Sequence, residues 1–210
     1  MQNTEITKGV SSSTHRIIAG LDTDPENRRM TDWFKIERTA NSPVKDYFTE
    51  SALKFDGGYI DVRHWKISRT TESSFLTQPR YYFFDLSLGP RPAVSSALLS
   101  LGGGEPAAVL KRIVAIPPNQ EVRIQAPRGR YRTMRCILDA SLVDDILQHS
   151  AEWKPNSLRQ AIQLGGGEIE WILMKMYREL IQREFGSTTV IESLAKALAV
   201  EIIRKFDLDQ

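Results

Sequence analysis

The side chains able to do chemistry are few and scattered. His15, His64 and His149 fall in three separate segments, with no H-x-H, H-E-x-x-H or E-x-x-H pairing. A bound metal needs several ligands converging from neighbouring elements. None of the three has such a neighbour, so no metal ligand is assigned. The single cysteine, Cys136, alternates with Met134 and Leu138 and reads as a small buried hydrophobe, not as a nucleophile. One cysteine also excludes an intramolecular disulfide and a multi-cysteine zinc site. There is no G-x-S-x-G; no catalytic residue is assigned and no cofactor is expected. Leu-Gly-Gly-Gly-Glu occurs twice, at 101–105 and 164–168, without the G-K-[ST] ending that holds phosphates. Glu168 and Glu170 would themselves repel an anion from the second copy. Both copies read as turns.

Two clusters remain. Arg128, Arg130, Arg132 and Arg135 crowd one expected hairpin, which a solvated hairpin end explains more simply than a phosphate grip. No helix-turn-helix pattern accompanies them. The better candidate site is aromatic: Trp65, Tyr82 and Phe84 on expected strands, with Arg63 two residues before Trp65 as a charged handle. These four are the candidate ligand-binding residues, and an aromatic or carboxylated small molecule suits them. Both faces of 81–84 are aromatic, so alternation leaves open whether the rings line a lumen or fill a core.

The elements that must position them follow from periodicity. Residues 57–139 carry short strand signals broken by Gly and Pro: 59–67, a polar turn at 68–74, 81–88, 93–101, 107–116, 121–125 and 130–138. Many short strands with such turns predict a sandwich or barrel. A further strand is expected at 158–164. The period then becomes helical. Leu142, Val143, Ile146 and Leu147 share a face; Ile169, Ile172, Leu173, Met176, Leu180 and Ile181 form a second helix stopped at Gly186. A third helix opens at Thr189 with Glu192 completing a capping box and carries Ile191, Leu194, Ala195, Leu198, Ile202 and Phe206. The fold class is therefore α+β.

Composition sets the bounds. Twenty-eight Lys and Arg against 26 Asp and Glu leave +2, weaker than the footprint of a nucleic-acid-binding surface. With 41% apolar and 26% charged residues, the 210-residue chain is composed like an ordinary globular protein. No apolar run approaches a membrane span, and the polar, Thr/Ser-rich start is unlike a secretory signal, so a cytoplasmic setting without membrane contact is expected.

Several stretches together resemble the N-terminal regulatory domain of AraC/XylS-type bacterial transcription factors. These are the aromatic strand ending in Leu86-Ser-Leu-Gly-Pro-Arg-Pro92, and Ile113-Val-Ala-Ile-Pro-Pro-Asn119, where Asn119 replaces the usual Gly. Gly129-Arg-Tyr-Arg-Thr-Met-Arg-Cys-Ile-Leu-Asp139 and the helical Ile191-Glu-Ser-Leu-Ala-Lys-Ala-Leu-Ala-Val-Glu-Ile-Ile-Arg204 complete the set. The polar start without apolar spacing reads as a flexible arm (1–14), and the resemblance implies a cupin-like β-barrel (15–164, its strands at about 57–139) and a C-terminal helical hairpin (165–210). It implies a non-enzymatic module that binds a small-molecule effector and forms a homodimer. The helix residues Leu173, Met176, Leu180, Leu194, Leu198 and Ile202 are the expected dimer seam. DNA would be reached only through a helix-turn-helix domain downstream of Gln210. The alternative is a cupin-like enzyme of small-molecule metabolism, with or without a metal.

Overall fold

A computed structural model describes residues 34–35, 45–91, 95–99 and 108–208. The chain divides between Phe34 and Lys35, and the unit Lys35–Gln210 carries the barrel and its helices. The expected arm at 1–14, His15 and the glycine turn at 101–105 lie outside the described residues.

The strands are β1 (Phe34–Lys35), β2 (Lys45–Phe55), β3 (Gly58–Ile67), β4 (Thr71–Thr77) and β5 (Tyr81–Ser87), then β6 (Ser96–Leu99), β7 (Ala108–Val109), β8 (Ile113–Ile116), β9 (Glu121–Ala126) and β10 (Gly129–Asp139). First pairs with last: β3 with β10, β4 with β9, β5 with β8 and β6 with β7, all antiparallel. These eight strands thus form one long hairpin that is rolled up. Its turns alternate between a sheet ordered β2-β3-β10-β5-β8 and a sheet containing β4-β9-β6-β7. This is the double-sheet jelly roll, the architecture of cupin-like barrels.

Turn chemistry holds the roll in register. Gly57 supplies φ +87° in the β2–β3 hairpin. A Cβ on Gly58 would stand 2.3 Å from the Ile137 carbonyl, so only glycine lets β3 lie that close to β10. Asn119 turns between β8 and β9 at φ +59°, the left-handed region that glycine enters freely and asparagine tolerates. That is why Asn can stand where the resembling family carries Gly.

Four helices follow: α1 (Ser141–Leu147), α2 (Pro155–Ala161), α3 (Gly167–Gln182) and α4 (Ser187–Phe206). The last two, with α1, cover one face of the β2-β3-β10-β5-β8 sheet. Ile60, Val62, Tyr82, Phe84, Leu86, Met134, Cys136 and Leu138 rise from the strands to meet Ile169, Ile172, Leu173, Met176, Leu180, Ile191, Leu198 and Ile202. Each large side chain so buried is worth about 1.5–3 kcal/mol of transfer free energy. No described helix is long and apolar enough to cross a membrane.

Five sequence expectations need correction. The segment 158–164 is not a strand: Pro155 sits at the first helical position of α2, and only Leu164 keeps a β-bridge, to Ile113. The barrel begins at β2, before residue 57, and the polar stretch expected as a turn at 68–74 pairs with β9 as β4 from Thr71. The cap of α4 is Gly186, so there is no capping box at Thr189; Glu192 instead accepts a hydrogen bond from the Asp56 backbone N–H at 3.2 Å. Finally, Leu173, Met176, Leu180, Leu198 and Ile202 are at most 1% exposed inside the chain's own core, with Leu194 packed half-buried against it. They fasten the helices to the sheet and are not free to form a dimer seam.

Leu173→Ala should therefore cost about 2–5 kcal/mol, the usual range for emptying a buried leucine site. Lys196→Ala, at an exposed position of α4, should stay within about 0.5 kcal/mol. Urea denaturation of the two variants checks the assignment.

Candidate functional site

Strand β10 is flanked by β3 and β5, and its registers decide what shares a face. Asp61 lies opposite Arg135, which lies opposite Asp85; Arg63 lies opposite Thr133, which lies opposite Ser87; Trp65 lies opposite Tyr131. Directly opposed residues point the same way. The odd-numbered positions Asp61, Arg63 and Trp65 of β3 and Tyr131, Thr133 and Arg135 of β10 therefore form a polar and aromatic surface turned to the barrel interior. The alternate positions Ile60, Val62, Met134, Cys136 and Leu138 form the apolar surface under the helices. On the second sheet β9 turns Val122, fully buried, inward.

Asp61 anchors the interior surface. Its side chain is 0% exposed and is held by Arg135 through Nε to Oδ1 at 2.8 Å, with a second contact from Nη2 to Oδ2. Arg63 Nε reaches Oδ2 at 2.9 Å and the Tyr59 hydroxyl donates to it at 3.2 Å. Burial alone would raise the Asp61 carboxyl, but the charges and hydrogen bonds of Arg135 and Arg63 outweigh it and hold it below the usual carboxylate range. Burial pushes the Tyr59 hydroxyl up, and the Asp61 charge adds to the rise. Burial first, then the like charge of Arg135, pulls the Arg63 guanidinium down.

Around this anchor stand aromatic and hydroxyl groups. The Arg63 guanidinium lies 4.3 Å above the Tyr47 ring and 5.8 Å from Trp65, within cation–π range. Trp65 Nε1–H donates to the Thr133 hydroxyl at 3.2 Å. From the loop after β5, Arg91 turns back to bond Asp85 Oδ2 at 2.7 Å. Its charge is close enough to the Tyr131 hydroxyl to oppose the upward push of burial there.

The four sequence candidates are thus divided. Arg63 and Trp65 share the interior face, as their two-residue spacing requires. Tyr82 and Phe84 are placed on the other face, 2% and 0% exposed in the core beneath the helices. The Tyr82 hydroxyl accepts from Trp153 Nε1 at 3.4 Å, and Trp153 packs on Phe206 with ring centres 4.7 Å apart. Burial pushes that hydroxyl up to about 12, so it stays protonated. Sequence reasoning misses Tyr59, Asp61, Asp85, Arg91, Thr133 and Arg135 as members of the site. The signal that could have found them is alternation: Asp61-Val-Arg63-His-Trp65 and Thr133-Met-Arg135 place their polar members two apart.

The arginine cluster of the β9–β10 hairpin does not exist as a cluster. Arg128 and Arg130 are exposed, Arg132 clasps Glu50 through Nε and Nη2 at 2.8 and 2.7 Å, and Arg135 is buried on Asp61. A bulge between Thr49 and Ser51 delivers Glu50, which also bonds His64 Nε2 at 2.7 Å. His149 lies apart from both, near the Ser150 carbonyl. Cys136 is fully buried and burial pushes its thiol up to about 12, which removes it from nucleophilic chemistry.

Cupin-like barrels often house a metal, so the donor set matters. Among the described residues no three His, Cys, Asp or Glu side chains converge, and the interior carboxylates Asp61 and Asp85 are each spent on arginine. The described interior residues do not make up the donor set of a divalent cation.

No protein-family model matches the chain, and no curated protein is similar to it in sequence. Among solved structures it overlaps the cupin domain of Cnp3 from Schizosaccharomyces pombe (8% identity, 53% of this chain and 79% of that one, TM-score 0.35). It overlaps the EutQ protein of Clostridium difficile (14%, 50% and 76%, TM-score 0.32) and a cupin domain from Bordetella pertussis Tohama I (13%, 48% and 98%, TM-score 0.31). The fold assignment rests on the jelly-roll strand order.

The ion pair has a measurable consequence. Arg135→Met leaves a buried carboxylate without its main partner and should cost about 3–5 kcal/mol. The folded pKa of Asp61 lies below its unfolded value, so its contribution is complete above about pH 4 and is lost as the pH falls through the folded value. Asp61→Asn should accordingly flatten the dependence of the urea midpoint on pH below about 4.

Proposed function

We propose that this chain is the effector-binding half of an AraC/XylS-type transcriptional regulator. In this reading it is a non-enzymatic, cytoplasmic module that takes a small molecule into the barrel interior. It passes the bound state to a DNA-binding domain downstream in the same polypeptide. The observation that carries the proposal is the two-faced sheet. One wall, β3-β10-β5, presents Asp61, Arg63, Trp65, Thr133 and Arg135 inward and bears α3 and α4 on its back. A ligand that favours one arrangement of the inner side chains acts on the wall to which the helices are fixed. The stretches that resemble the family support it by their places. Residues 113–119 are β8 and its turn, Gly129–Asp139 is β10 entire, and 191–204 lie within α4, the helix nearest any following domain.

Self-association belongs to the same reading, with its seam moved. Trp171, Arg178 and Ile181 stand on the side of α3 away from its core residues. They recur at the seven- and three-residue steps of a helix seam, and Trp171 and Ile181 are 60% and 39% exposed. A second copy of the chain is the proposed occupant.

The test combines binding with propagation. The purified chain is screened against a metabolite library by thermal shift, and each binder is followed by amide hydrogen exchange. The expected result is a binder that slows exchange in β3 and β10 and also in α3 and α4, and that is recovered unchanged. A compound consumed on incubation would return the reading to the enzyme alternative, and a binder felt only in the strands would remove signal transfer. In sedimentation, Trp171→Glu should convert a dimer to monomer without loss of helix; a wild-type chain that is monomeric at high concentration sinks the seam.

A further inference from the structure

The helices leave one end of their sheet bare. On the face that carries Ile60 and Val62 beneath the helices, the next residues toward the β9–β10 hairpin are His64 and Lys66 on β3. They stand opposite Arg132 and Arg130 on β10. Phe48 on β2 lies opposite His64 and so shares that face. None of these five residues is buried, and Phe48 is 60% exposed. Its ring is stacked on the His64 ring, with centres 4.4 Å apart and planes 6° from parallel. The Arg132 guanidinium, clasped by Glu50, lies 5.5 Å from the centre of the Tyr177 ring on α3. Through that contact the bare end of the sheet continues into the side of α3.

The two flanks of α3 are unlike. The flank toward α4 is charged: Lys175 pairs with Glu179 at 3.0 Å, and Glu179 accepts from the Ser187 hydroxyl at the start of α4. The flank toward the strands is apolar: Met174 meets Arg112 ahead of β8, and Tyr177 meets Arg132 of β10. Trp171, Met174, Arg178 and Ile181 follow one another at steps of three and four residues, so this flank adjoins the outer stripe of the helix. Exposed apolar side chains that adjoin one another mark interaction surfaces, whereas single ones do not. A stable interface takes about 800 Å² from each partner, roughly 20 residues. Three positions on one helix fall far short of that, so two copies that meet at α3 must also meet beyond it. The apolar surface continues only on the strand side among the described residues, and it ends in Phe48. Arg132 lies within it in a form that suits an interface, its planar group held by a carboxylate and set against a ring.

We infer that a second copy of the chain covers the α3 stripe and the bare end of the sheet together, with Phe48 as a buried anchor of the contact. The inference rests on self-association through α3 and adds a second element, β2, to that surface.

The experiment follows the whole chain by sedimentation over a concentration series. Amide exchange of the wild-type chain is compared below and above the association midpoint. The expected result is that association slows exchange in 46–50 together with 171–181. Phe48→Ser and Phe48→Glu should each weaken association at least tenfold. Leu76→Ser, which removes a side chain of comparable exposure (51%) from the other sheet, should leave it unchanged. Urea midpoints near that of the wild type show that the variants keep their fold; where one does not, the exchange comparison decides. A dimer that Trp171→Glu dissociates but both Phe48 variants leave intact, or protection confined to 171–181, would overturn the inference and leave the α3 seam standing. A dimer indifferent to Trp171→Glu, or a chain that is monomeric at every concentration, would overturn both.

Discussion

The buried Asp61 carboxylate and the Arg135 guanidinium set the terms for the rest of the structure. They face each other across the β3–β10 ladder, at the junction on which the rolled hairpin closes. Two charges taken out of water each incur several kcal/mol of desolvation, recovered only where geometry is good and remaining hydrogen-bond sites are filled. Here the carboxylate is met by Arg135, Arg63 and Tyr59. A register slip of one residue would move Asp61 to the apolar side beneath the helices and Val62 into the charged interior. The pair is therefore better understood as a device that fixes register than as a source of stability. Its partner device is Gly58, three residues before Asp61, whose missing side chain lets the same two strands close at the start of β3.

From that register follows the division of labour between the two faces. The helix-covered face is built from the residues that hydrophobicity scales find easily, and it supplies the stability. The interior face is built from groups that fold poorly on their own and are tolerated because each is bonded to another. Tyr59, Thr133 and Trp65 illustrate it: each has an aromatic or aliphatic body to bury and one polar atom, and each polar atom is spent on a neighbour within the face. A polar surface of this kind gains specificity at the cost of stability, as sites commonly do.

Legibility in the sequence divides along the same line. The fold class can be read, because strand punctuation by Gly and Pro and the later helical period are local signals. Helices α3 and α4 are visible for that reason. The strand β4 is hidden by its Ser and Thr content, which local chemistry assigns to a turn and tertiary pairing with β9 overrides. Residues 158–164 are ambiguous, and Pro155 decides for a helix. The site is half legible. The spacing of Arg63 and Trp65 places them together correctly, but Tyr82 and Phe84 belong to a run that is aromatic on both faces. Only the opposition of Asp85 to Arg135 shows which members look inward. The apolar residues expected to hold two copies together serve instead to hold one copy's helices to its sheet, because the same periodicity describes both uses.

A wall with unlike faces transmits only if something besides the wall joins them, and Arg112 has that position. It precedes β8, its Nε approaches the Ser87 carbonyl at 3.4 Å, and its terminal nitrogens meet Glu170 and the Met174 sulfur on α3. Ser87 ends β5, and the loop that leaves it bonds back through the Ser87 hydroxyl to the Gly89 carbonyl at 2.8 Å before reaching Arg91. Glu170 also caps the helix entrance, accepting from the Gly166 N–H at 2.7 Å. A displacement of Arg91 thus has a short bonded path to the first turn of α3, through two side chains and one strand end. Proximity of this kind is not coupling, since a path transmits only if its members have two arrangements that a ligand can distinguish. Among the described residues, Arg91 Nε is the one buried side-chain nitrogen or oxygen without a hydrogen-bond partner, so the path begins at a group whose bonding is incomplete.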